Sequence, residues 1–124
     1  MDTQPLADCF ALHCSLVEHA HLLARRLGPV CADQSERLRL GAGCVSIAAQ
    51  RALATRDERE AIRSWSECEL GDRQIRSATY HALALGRIDN FIYDRTFAAA
   101  IEATRARRDE MLRLRRRVRL LSVV

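Results

Sequence analysis

The sequence predicts an all-α fold, an antiparallel up-down-up-down four-helix bundle, and three observations carry that expectation. Ala, Leu and Arg dominate the composition, and all three are strong helix formers. Apolar residues recur at three- and four-residue spacing over four long stretches, while β-branched residues nowhere form alternating runs. Three short turn segments separate those stretches, which places successive helices side by side and antiparallel. The 124 residues suit a single domain, 1–124, with enough chain to bury a core without metal or disulfide support.

The first helix is expected from about Leu6 to Leu27. Leu6, Phe10, His13, Val17, Ala20, Ala24 and Leu27 form its seam, flanked by Cys9, Leu16 and Leu23. Gly28-Pro29 ends it, because proline lacks an amide donor and disfavours a helical residue before it. The second helix is expected to open at Asp33, with Glu36 at capping-box spacing. It continues through Leu38, Leu40, Cys44, Val45, Ile47, Ala48 and Ala52. Gly41 and Gly43 each cost roughly 1 kcal/mol of helix propensity relative to Ala. Either a neighbouring helix approaches closely there or the helix breaks.

Thr55 and Glu58 have the spacing of a second capping box and open the third helix. Its buried side reads Ile62, Trp65, Cys68, Ile75, Ala78, Ala82 and Leu85, with Gly71 at a position that suggests close packing. Leu85-Gly86-Arg87-Ile88 reads as a C-terminal stop, with Gly86 left-handed and Ile88 folding back. Asp89 or Asn90 then caps a fourth helix running to about Leu121. At 1.5 Å per residue that helix spans about 45 Å, so its basic end is expected to project beyond the first two.

All 20 basic residues are arginine and the formal net charge is +4. Biased codon usage accounts for the missing lysine, yet the physical consequence stands. Every cation is a planar fork suited to phosphate or carboxylate. Residues 1–62 hold seven arginines and eight acids, whereas 63–124 hold thirteen and eight. That asymmetry favours an anionic partner for the second half. No segment is apolar enough over the required length to cross a bilayer, and Met1-Asp2-Thr3-Gln4-Pro5 lacks the basic start of a signal peptide. A cytoplasmic protein is expected. Five scattered cysteines, an odd number, read as small hydrophobes in a reducing compartment.

Nothing in the chain calls for catalysis or a cofactor. It has no glycine-rich phosphate loop, Cys-x-x-Cys, His-Glu-x-x-His or nucleophile elbow. Cys14, Glu18 and His21 share a helical face, but one helix seldom completes a metal site. His13, in the seam, suits a neutral core histidine with one hydrogen bond better than a base. His19 and His81 are expected to face solvent. Glu67, Glu69 and Asp72 are better explained by ion pairs with Arg63, Arg73 and Arg76, or with a neighbouring subunit, than by acid-base chemistry. The catalytic set is therefore empty, and no metal or cofactor is expected.

The fourth helix carries the chemistry. Eight arginines and two acids lie between Arg105 and Arg119. Arg105, Arg108, Arg115 and Arg119 fall on one side with Leu112, beside a seam of Phe97, Ala100, Thr104, Met111, Leu114, Val118 and Leu121. Arg105, Arg108, Arg115, Arg116 and Arg119 are the candidate nucleic-acid-binding residues. The competing reading pairs them with acids on the first and third helices. Few aromatics interleave them, so phosphate contacts rather than base stacking are expected. Arg107 stands in the seam, where an unpaired charge is costly. It either snorkels outward or meets a carboxylate, and a contact across an oligomer interface is the favoured expectation.

The stretch from Ser35 to Asn90 resembles the small four-helix-bundle proteins encoded in intervening sequences of bacterial 23S ribosomal RNA genes. The matching pieces are Ala42-Gly43-Cys44-Val45-Ser46-Ile47, Gly71, and Ala84-Leu85-Gly86-Arg87-Ile88-Asp89. Gln50-Arg51-Ala52-Leu53-Ala54 stands where that family carries Asn-Ile-Ala-Glu-Gly, and Asp72 replaces a small serine. The resemblance implies a ring-forming subunit, often a homopentamer. It also extends to a related branch, the accessory variability determinant of diversity-generating retroelements, a basic bundle that binds nucleic acid and a reverse transcriptase. The expectation is a non-catalytic homo-oligomer that binds RNA or DNA through arginine–phosphate contacts. The alternative is a protein-interaction scaffold with no nucleic-acid ligand.

Overall fold

A computed structural model describes residues 3–123. Met1, Asp2 and Val124, which the expected domain 1–124 includes, lie outside the described residues. Four helices make up the chain: α1 (Gln4–Leu27), α2 (Ala32–Ala54), α3 (Glu58–Ala84) and α4 (Asn90–Val123). Each helix packs on its neighbours in sequence, and α1 closes the bundle against α4. The described residues contain no strand. None of the helices is long and apolar enough to cross a membrane.

The connections are short because each carries its own stop and start chemistry. Gly28, at φ 55°, ends α1 and leads into a 3-10 turn, Gly28–Cys31. The turn delivers the chain to α2 with Cys31 at the cap position and no side-chain cap. Asp33, expected as the cap, lies inside the first turn and pairs with Arg37 at 3.7 Å. With the helix starting at Ala32, Asp33 is already its second residue and cannot cap it. Ser35 fastens this corner by donating to the Ala24 carbonyl at 2.9 Å.

The cap of α3 also differs from expectation. Asp57, rather than Thr55, accepts from the amides of Arg59 and Glu60. Thr55 instead donates its hydroxyl to Glu60 at 2.9 Å and accepts from the Asp57 amide. An ionised carboxylate two residues on is the better partner for helix amides. The α3–α4 connection matches its sequence. Gly86 is left-handed at φ 71°, Arg87 donates to the Ala82 carbonyl and Gly86 to Leu83, a Schellman closure. Ile88 packs into the core and Asp89 caps α4 through the Ile92 amide.

Gly41 and Gly71 explain the closest helix contact. A Cβ on Gly41 would lie 2.8 Å from the Gly71 carbonyl oxygen, and one on Gly71 would lie 2.6 Å from that of Gly41. The backbones of α2 and α3 touch, and α2 runs unbroken through both of its glycines. Gly43, by contrast, meets nothing.

The core has two apolar parts. One gathers Leu16, Leu23, Leu38, Val45, Ile75 and Ile88 among alanines; the other gathers Cys9, Trp65, Cys68 and Leu114. Small residues dominate the contact faces, which lets the helices approach. Several expected seam residues lie outside the core. Leu40, Ile47, Leu85 and Leu121 are well exposed, as is Phe97 to a lesser degree.

Candidate nucleic-acid interface

The buried line of α4 is Thr96, Ala100, Ala103, Arg107, Glu110 and Leu114. It is rotated from the expected seam, whose Thr104, Met111 and Val118 form a half-buried flank. Alanines fill the actual seam because little space separates α4 from α1 and α3. The larger apolar residues sit at its edge. This rotation moves the arginine stripe further from the core, with Arg108 and Arg115 on the flank toward α3.

Arg105, Arg108, Arg115, Arg116 and Arg119 are all exposed. Among the described residues none of the five has a carboxylate within ion-pair distance, so acids on α1 and α3 do not neutralise them. Leu114 is the last buried position of α4, and the helix continues through Val123 with its solvent-facing arginines. Nine arginines and four acids lie on α4, whereas the rest of the chain holds eleven and twelve. All the excess positive charge therefore belongs to one helix. Thr104, Arg108, Met111, Leu112 and Arg115 of α4 line a cleft of about 200 Å³ against Glu69 of α3, so the stripe borders a groove.

Arg107 does meet a carboxylate, and it is Asp72 of its own chain. Its Nη2 donates to Asp72 Oδ2 at 2.8 Å, and its side chain is 5% exposed. Thr104 donates to the same Asp72 oxygen at 2.8 Å. Arg76 Nε lies 3.1 Å from Asp72 Oδ1, close in charge but too poorly aligned for a hydrogen bond. Of the expected α3 pairs, Asp72–Arg76 and Glu69–Arg73 form, while Glu67 reaches Arg51 of α2 at 3.7 Å.

His13 completes this layer. Its Nδ1 lies 2.7 Å from the Cys9 carbonyl, an obligate acceptor, so Nδ1 carries the proton. Nε2 then accepts from Arg107 Nη1 at 3.1 Å. Burial is the main cause that pushes the His13 pKa down to about 4, and the Arg107 charge adds to it. A neutral imidazole with both nitrogens engaged has no free lone pair to act as a base. The layer lies between the two apolar parts of the core and couples α1, α3 and α4. The Trp65 ring rests 4.9 Å from His13, and its buried Nε1 has no partner among the described residues.

The remaining candidates are dispersed. Cys14, Glu18 and His21 are exposed on α1, and the described residues hold no metal-binding group of three. His81 is exposed, whereas His19 is half-buried with Nδ1 bonded to the Ser15 carbonyl. Burial pushes the Cys9 and Cys68 thiols up to about 12, leaving them inert. The five cysteines are free.

No family model, curated protein or solved structure matches the chain. The resemblance to the intervening-sequence proteins therefore rests on the quoted motifs.

Proposed function

We propose that this protein is a non-catalytic helical bundle that binds RNA or DNA through the outer face of α4. One observation carries the reading: five arginines on α4 are exposed, and no described carboxylate lies within ion-pair distance of them. Fixed guanidinium forks on a rigid helix are preorganised for phosphate oxygens. Each phosphate they neutralise releases counterions, so affinity falls steeply with salt. With no aromatic platform along the stripe, recognition is of backbone charge rather than base sequence.

Fluorescence anisotropy with labelled RNA, titrated at several salt concentrations, tests this. Replacing Arg108, Arg115 and Arg119 with Glu abolishes binding on this reading. Retention of affinity after that charge reversal refutes it.

A scaffold reading draws on a different observation. Leu40 and Ile47 of α2 and Leu70 of α3 are each more than half exposed. Such residues suit contact with another protein, including the second copies that the family resemblance implies. Light scattering reports the subunit number, and a homopentamer is the outcome expected from the resemblance.

A further inference from the structure

A second site lies at the opposite end of α4 from the stripe and does not depend on the polyanion reading. Leu22, Leu23 and Arg26 of α1 face Ile92, Arg95 and Thr96 of α4 across a cleft of about 260 Å³. Its lining contains two cations and no carboxylate. Neither Arg26 nor Arg95 has an ion-pair partner among the described residues. Arg95 is held over the Phe91 ring, with Cζ 5.8 Å from its centroid.

Thr96 is the unusual member. It is 4% exposed. The hydroxyls of Thr79 and Thr104 both bond back to the carbonyl one turn earlier. Thr96 makes no such bond, and among the described residues its hydroxyl has no partner. Thr96 is itself part of the cleft lining. A hydroxyl that no protein group engages, in the lining of a cleft with two unpaired guanidinium forks, suits an acceptor carrying negative charge. The aliphatic walls provide for something apolar next to it.

We propose that this cleft binds a small amphipathic monoanion, a carboxylate on a short aliphatic chain. The carboxylate accepts from Arg26, Arg95 and the Thr96 hydroxyl, and the chain lies against Leu22, Leu23 and Ile92. The volume is below the roughly 300 Å³ at which sites for drug-sized ligands begin, which restricts the chain to a few carbons.

Hexanoate is the probe, titrated into the full chain while backbone amide shifts are followed by NMR. Saturable shifts at Leu22, Ile92 and Thr96 are expected. Hexanol, the same chain without the charge, binds at least about tenfold more weakly, because hydrogen bonds to ionised groups exceed neutral ones by that order. Arg26→Gln with Arg95→Gln produces a similar loss. Thr96→Val, close in shape, weakens hexanoate but leaves hexanol unchanged. Unsaturating shifts, equal binding of hexanol, or shifts centred on Arg105 to Arg119 each overturn the assignment. Unchanged hexanoate affinity in the arginine variants does so as well.

Discussion

Arg107 of α4 and Asp72 of α3 form an ion pair 2.8 Å long with both side chains withdrawn from solvent. Two buried charges offset each other's desolvation only while both are present. Asp72→Asn leaves Arg107 buried without a counter-charge and is therefore expected to cost about 3 to 5 kcal/mol, whereas Arg107→Met costs less because Arg76 and Thr104 still face Asp72. The double replacement by apolar residues recovers most of that loss. A double-mutant cycle in urea measures the coupling.

The Gly41–Gly71 crossing makes a sharper steric prediction. Gly41→Ala places a methyl against rigid backbone 2.8 Å away, and destabilisation of about 1 to 3 kcal/mol is expected. Gly43→Ala meets nothing and gains up to about 1 kcal/mol of helix propensity. Opposite signs two residues apart on one helix distinguish packing from propensity. Urea midpoints at constant slope report both.

His13 predicts a pH window. Its folded pKa of about 4 lies below the ordinary 6.5, so the unfolded chain takes up a proton that the folded chain refuses. Above pH 6.5 both forms are neutral and the group contributes nothing to the pH dependence. As pH falls from 6.5 toward 4, stability is lost, by about 3 kcal/mol in total. His13→Gln keeps an acceptor for Arg107 and removes this slope. Stability curves of both proteins across the window test it.

The stripe separates binding from folding. Arg105, Arg108, Arg115, Arg116 and Arg119 are exposed. Changing any one to Gln is expected to shift stability by no more than about 0.5 kcal/mol. The triple change Arg108→Gln, Arg115→Gln and Arg119→Gln lowers the salt dependence of RNA binding by about 2 to 3 log units per log unit of salt. Thermal melts and salt titrations on the same samples show whether the two effects part.

The thiols rank by exposure. Cys14 is exposed and Cys44 half-buried, whereas Cys9, Cys31 and Cys68 are buried. A thiol-reactive disulfide reagent at neutral pH is expected to modify Cys14 rapidly and Cys44 slowly. Cys9 and Cys68, with thiols pushed up to about 12, react only on unfolding. Mass spectrometry against time resolves the order.

Much of the candidate interface was legible in the chain, because exposed arginines at helical spacing need no tertiary information to be placed on one side. The layer beneath it was not. The sizes of Phe97, Met111 and Leu121 outweighed the alanines that α4 buries, so the expected seam was rotated. A signal was present: His13, Asp72 and Arg107 each interrupt an otherwise apolar helical line. Read together, three polar residues on three seams point to one shared layer.

Periodicity, glycine stops and composition determined four helices, their order and the distribution of charge, because those depend on each residue and its near neighbours. The meeting of Gly41 with Gly71, the rotation of α4 and the partner of Arg107 were decided by the tertiary structure. Those depend on which side chains remain after helices have packed. Burying a guanidinium becomes tolerable only when a carboxylate, distant in sequence, arrives at the same depth.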